Sequence, residues 1–153
     1  MTGILAMRNQ ECLSSDLVFA GRDVGMEEKM DIYPYFKSVV DADRCPVVIC
    51  NLAHEIIYMN PAAEARYIRS GGGKLVGKSL LDCHGEGSCQ MIRKVVEWFE
   101  QDVGHNLIYT FRNEQENKDV YMAALRAEDG TLIGYYEKHE YRDVETMSLY
   151  DFR

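Results

Sequence analysis

The chain has 153 residues, with 17 Lys and Arg against 25 Asp and Glu, a formal charge of −8 with neutral histidines. That acidity argues against a nucleic-acid binder, where phosphate neutralisation is the main affinity term, and no apolar run approaches the roughly 18 residues of a membrane helix. With 46% hydrophobic and 27% charged residues, and too short an apolar stretch at residues 1–8 for a secretory signal, the composition suits one globular domain with a real core in the cytoplasm.

The cysteines (Cys12, Cys45, Cys50, Cys83, Cys89) are odd in number. They read as reduced thiols and not as a disulfide framework.

Residues 1–25 hold no sustained period, and Gly3, Gly21 and Gly25 interrupt them. Residues 1–30 are expected to be an arm, partly disordered or with a short helix near Gln10 to Phe19. From there Ile32, Tyr35, Phe36, Val39 and Val40 fall at helical spacing. Asp31 is placed to cap that helix, and Pro34 suits its first turn.

Pro46 opens the β-branched run Val47 to Cys50. A turn over Asn51 to His54 and the run Ile56 to Met59 complete a hairpin signal. Asn60-Pro61 reads as a cap and first-turn pair, so residues 61–69 are expected to be helical. Gly71 to Gly73 stop that helix and predict a mobile loop.

Ser79 to Asp82 is a candidate single helical turn. Ser88 is placed to cap a longer helix whose buried stripe is Ile92, Val95, Val96 and Phe99; Gly104 ends it. Three strands follow: His105 to Arg112, Asp119 to Ala127, and Thr131 to Arg142. Asp129-Gly130 is the strongest hairpin signal in the chain.

Two strands plus three must share one antiparallel sheet, because an isolated hairpin is marginal. The helices then cover one face and leave a hollow between the layers. The expected class is α+β: a five-stranded antiparallel sheet, helices on one face, and an amphipathic helix in front.

This order of elements resembles the PAS domain family over roughly residues 35–146. The resemblance rests on Pro46-Val47-Val48-Ile49, on Ile57-Tyr58-Met59-Asn60-Pro61-Ala62-Ala63-Glu64, on Leu75-Val76-Gly77-Lys78-Ser79-Leu80, and on Glu128-Asp129-Gly130-Thr131-Leu132-Ile133-Gly134. The segment Gly77 to Asp82-Cys83-His84 is similar to a PAS subgroup with a Gly…Asp-Cys-His signature before the long helix. Gly85-Glu86-Gly87 stand where that subgroup often carries two prolines. The resemblance implies a PAS domain at residues 31–146, followed by a tail at 147–153. It also implies a sensor and interaction module of signal transduction, with a ligand held between sheet and helices.

His84 has two readings, an axial haem ligand or a structural ring bonded to backbone in a glycine-rich bend. Cys83, His84 and Cys89 fit no standard zinc spacing, with His105 as a distant fourth, and no metal site is expected. Cys83 is either a reactive thiol or a small hydrophobe. Flavin is disfavoured, because the Asn-Cys-Arg-Phe-Leu-Gln motif of light-sensing relatives is missing.

The tyrosines Tyr58, Tyr67, Tyr109, Tyr121 and Tyr135 are candidate ligand contacts together with His84, against the alternative of core or sheet-surface rings. Arg112 and Arg126 are either carboxylate binders or cross-strand ion-pair partners.

The leading expectation is a non-catalytic cytoplasmic sensor that binds a small ligand. It would signal to a partner protein in trans, or act as a detached sensory piece, with no nucleic-acid or membrane partner. A homodimer is expected through residues 32–40, whose stripe is also expected to pack on its own sheet. The alternative is a haem-based gas or redox sensor with His84 as axial ligand. A thiol enzyme or redox switch at Cys83 is a third option.

Overall fold

Short runs of β-branched and aromatic residues pair into one antiparallel sheet in the computed structural model, which describes residues 30–151. The expected short helix at Gln10 to Phe19 lies outside the described residues. The strands are β1 (Val47–Asn51), β2 (Ile56–Met59), β3 (Leu107–Asn113), β4 (Lys118–Arg126) and β5 (Leu132–Tyr141). Their spatial order is β2-β1-β5-β4-β3, so the last strand in sequence lies at the centre. Gly134 faces Asn51 where β5 meets β1, and a Cβ there would stand 2.3 Å from the Cys50 carbonyl oxygen. Only glycine lets those two strands approach so closely.

Among the described residues, one α-helix precedes the sheet, and two α-helices with three single-turn 3-10 segments lie between its strands. Helix α2 (Pro61–Arg66) is shorter than the expected 61–69, because the chain tightens into 3-10 turns at Ile68–Ser70 and Gly72–Leu75. Gly71 and Gly72 take φ of 127° and 56° there. Their amides bond back to Ile68 and Tyr67. The expected mobile loop is thus a hydrogen-bonded turn with Gly72 buried. A further 3-10 turn runs over Leu80–Cys83, with Ser79 accepting from the Leu81 amide at 3.3 Å.

Helix α3 (Glu86–Gln101) starts two residues before the expected cap. Gly85 occupies the N-cap position and Ser88 sits inside the first turn, because the segment after His84 is already extended enough to enter the helix at Gly85. Its buried face is Cys89, Ile92, Val95, Val96 and Phe99, the expected stripe with one residue added. It packs with Val48, Cys50, Ile56, Met59, Met122 and Tyr135 from the inner face of the sheet.

Arg126 fixes the far end of α3. Its Nη2 donates to the carbonyls of Phe99 (2.7 Å), Asp102 (3.0 Å) and His105 (3.2 Å), and its Nε to Asn106 Oδ1 at 2.8 Å. A cation donating to terminal carbonyls satisfies them and opposes the helix dipole. Arg126 is thereby a helix clamp. Arg112 takes the cross-strand role, opposite Asp119 at 3.3 Å.

Helix α1 (Tyr33–Ala42) departs from expectation twice. Ile32, not Asp31, holds the N-cap position, with no side-chain cap. The stripe Ile32, Tyr35, Phe36 and Val39 is 52 to 70% exposed. The expected packing of this stripe on its own sheet is therefore corrected: the stripe stays exposed, while Asp41 bonds Tyr58 and the Val40 carbonyl is tied to the start of α2.

That tie is Asn60, which is fully buried. Its Oδ1 accepts from the amides of Val47 and Ala63, each at 2.9 Å. Its Nδ2 lies 2.9 Å from the Cys45 carbonyl and 3.2 Å from those of Val40 and Asp43. One amide side chain thus caps α2, starts β1 and anchors the end of α1.

Asn60→Ala removes an N-cap, worth about 1 kcal/mol, and strands buried backbone groups at roughly 1–3 kcal/mol each. The expected loss is about 3 kcal/mol or more, read as a lower urea midpoint at unchanged slope. A variant within about 1 kcal/mol of wild type would show the junction to be dispensable.

Candidate functional site

The inner face of the sheet does not close completely against the helices. It leaves a cavity of about 200 Å³. Val48, Ile56, Met59, Ile92 and Met122 form apolar walls. Tyr67, Ser70, Cys83, His84, Tyr135 and Glu137 supply the polar points.

The register puts Glu137 there. Along β5 the residues Tyr135, Glu137, His139 and Tyr141 share one face, opposite Ala124, Met122, Val120 and Lys118 of β4. A strand alternates sides residue by residue. Since Met122 faces the cavity, so does its partner Glu137.

A carboxylate at the centre of a sheet needs compensation. His139 Nε2 lies 2.6 Å from Glu137 Oε1, and Lys118 Nζ lies 3.4 Å from His139 Nδ1. An ammonium only donates, so Nδ1 accepts and the ring proton sits on Nε2, directed at Glu137. Tyr67 donates its hydroxyl to the same Oε1 at 3.3 Å.

Lys118 and His139 are 2% and 3% exposed. Lys118 is matched in turn by Glu116 at 3.1 Å, and Glu116 by Arg66 through two bonds of 2.8 and 3.0 Å. The Tyr141 ring lies 5.8 Å from the Lys118 ammonium. A string of alternating charge therefore runs from α2 at the surface to the cavity wall.

Burial pushes the Glu137 carboxyl up, but the bonds from His139 and from the Tyr67 hydroxyl outweigh this and hold it below the usual range. The Tyr67 hydroxyl is pushed up to about 12, by burial first and then by Glu137. It stays a donor. The Glu137 side chain keeps 36% of its surface accessible although it sits on the central strand, and it lines the cavity.

At the other end of the cavity, the Tyr135 hydroxyl lies 2.8 Å from His54 Nδ1 and against the Cys50 thiol. His54 occupies the β1–β2 turn at φ 62°. Burial raises the Tyr135 hydroxyl strongly and pushes the Cys50 thiol up to about 11. Neither group is set up as a nucleophile.

Of the six residues expected from sequence, the structure brings Tyr67, His84 and Tyr135 to the cavity. Tyr58 lies elsewhere, its hydroxyl bonded to Asp41 of α1 and its titration pushed up to about 12 by burial and Asp41. Tyr109 and Tyr121 face each other across β3 and β4, ring centres 5.2 Å apart. Tyr121 precedes Met122, so alternation turns it to the opposite face of the sheet.

His84 donates Nδ1 to the Leu80 carbonyl at 2.9 Å, the backbone-bonded bend of the structural reading. Cys83 is exposed, and Cys89 ties α3 back to the Leu81 carbonyl at 3.3 Å. His105 stacks on Trp98 at 3.9 Å and bonds its carbonyl at 2.7 Å. A cavity of about 200 Å³ falls below the roughly 300–1,000 Å³ of drug-sized sites. A porphyrin does not fit it with these walls in place.

Sequence reasoning missed Glu137, His139 and Lys118. The signal was present: three charged or titratable residues at positions of β4 and β5 whose period-2 neighbours are core.

The string has a pH signature. The Glu116 carboxyl, bonded to Arg66 and then Lys118, is held down to about 2 from an ordinary 4.5. A lowered folded value gives stability that is complete above the unfolded value and is lost as pH falls toward the folded one. The urea midpoint is therefore expected to fall as pH drops from about 4.5 to about 2, and Glu116→Gln to flatten that fall. Identical acid limbs in both proteins would show that the string does not hold Glu116.

No protein-family model matches the chain, and no curated protein matches it in sequence. Solved structures do match in fold. The C-terminal domain of a protein from Streptococcus mutans aligns at TM-score 0.56 and 20% identity, over 71% of this chain and 83% of that one. The PAS domain of a protein from Colwellia psychrerythraea aligns at TM-score 0.54 and 15% identity, over 72% and 96%. A sensory box sensor histidine kinase from Vibrio cholerae aligns at TM-score 0.50 and 16% identity, over 70% and 89%. Likeness at such identities speaks for architecture alone. With its strand order, its helices gathered on one face and the chamber between them, this chain has a PAS-like fold.

Proposed function

We propose that the chain is a non-catalytic sensor module that binds a small ligand in the cavity and passes occupancy to a partner. The observation that carries this reading is the partly open chamber with a charged side chain in its wall. Packed interiors keep few voids larger than a water molecule, and a carboxylate facing one is costly unless something uses it. The likeness to a PAS domain and to a sensor histidine kinase supports the same class.

A ligand there touches β1, β2 and α3 together. Differential contact would bias their packing by population shift. Asn60 joins β1 to the end of α1, which makes α1 the natural output. Its exposed stripe is suited to a second copy, because one self-complementary patch is enough for a twofold dimer.

The chamber is tested by ligand-observed NMR with a library of small aromatic and aliphatic fragments. Binders should compete with one another and perturb the methyl groups of Ile92 and Met122. Each should stabilise the fold by about 2.7 kcal/mol at a hundredfold excess over Kd. Fragments that perturb only surface residues, or none at all, would remove the sensor reading.

Sedimentation velocity tests the dimer. Wild type should sediment as a dimer and Phe36→Glu/Val39→Glu as a monomer with an unchanged near-UV circular dichroism spectrum. A wild-type protein that stays monomeric at high concentration would exclude α1 as a dimer seam.

A further inference from the structure

We propose that the cavity selects a small molecule with an apolar body and a protonated amine, and that Glu137 seats the ammonium. This rests on the sensor reading above and names its ligand class.

Glu137 is the only Asp, Glu, Lys or Arg among the residues lining the cavity. The cation that compensates it does not share the space. Lys118 reaches Glu137 only through the His139 ring, and it is held behind the wall by Glu116 at 3.1 Å. The charge presented to a guest is therefore negative.

That charge is also incompletely used. A carboxylate offers about four acceptor positions. His139 and Tyr67 both bond Oε1, and among the described residues no donor reaches Oε2. The side chain keeps over a third of its surface open, 36%. Because Glu137 lines the cavity, that remaining acceptor capacity is available to a guest.

The choice of ligand follows from the chemistry. An anion would meet a like charge in a space without Lys or Arg. A neutral hydroxyl would exchange one hydrogen bond to water for another. An ammonium gains a charge-assisted bond, the stronger kind, and stays protonated at neutral pH because primary amines titrate near 10. Val48, Ile56, Ile92 and Met122 take the hydrocarbon portion.

Three probes of one shape separate the outcomes: 2-phenylethylamine, 2-phenylethanol and 3-phenylpropanoate, each titrated calorimetrically into the full chain. The amine is expected to bind about tenfold or more tighter than the alcohol, and the carboxylate weakest. Glu137→Gln should lower amine affinity by about tenfold and change alcohol affinity by less than about twofold. The wild-type ranking decides the matter even if the variant does not fold, which near-UV circular dichroism reports. Equal binding of amine and alcohol, or tighter binding of the carboxylate, overturns the amine assignment and leaves the sensor reading standing. If none of the three binds, both fall.

Discussion

A negative charge in the middle of a sheet constrains everything around it. Glu137 sits on the central strand, with β1 on one side and β4 on the other. An isolated carboxylate there would protonate or drag water inward. It is sustained by the His139 ring, whose tautomer is set by Lys118, whose burial is in turn made tolerable by Glu116 and Arg66. Each member is acceptable only because the next is present. Removing one partner from such a chain costs more than the pair contributes, because an unmatched charge is left inside.

The chain of charge and the amide junction at Asn60 divide the work. The first holds α2 to the β3–β4 turn through Arg66 and Glu116. The second holds α1, α2 and β1 together. Both meet at α2, a helix of six residues. A short helix has little stability of its own, so its position follows its anchors. Hydrogen bonds and ion pairs therefore link the cavity wall to the domain surface without a break.

The fold was largely legible in the sequence, because its signals are local. Asp129-Gly130 made the β4–β5 turn, and Asn60-Pro61 made the α2 start. The stripe Ile92, Val95, Val96 and Phe99 gave the buried face of α3. Boundaries shifted where backbone geometry competed with side-chain capping: Gly85 replaced Ser88 at the head of α3, and Gly71-Gly72 closed a tight turn where a loose one was expected.

The site was half legible. Aromatic residues on a half-buried strand announce themselves, but which face each one takes depends on register. Bulges at Ile49/Cys50, Tyr109/Phe111 and Leu125/Arg126 reset that register locally. Tyr121 is turned outward by its place beside Met122 in the alternation of β4, and Tyr109, its partner on β3, goes with it. The charged residues at core-facing positions were missed, because their compensation comes from partners as far as 70 residues away in sequence.

The chain's single tryptophan occupies a telling position. Trp98 lies near the C-terminal end of α3, stacked on His105 with ring planes 8° apart, and its own carbonyl accepts the His105 Nδ1 proton at 2.7 Å. The two rings straddle the joint between the long helix and the meander. If α3 slides even slightly, the overlap opens and the indole exchanges an imidazole neighbour for water. The domain thus carries its own optical gauge, with emission that follows this seam without any added label.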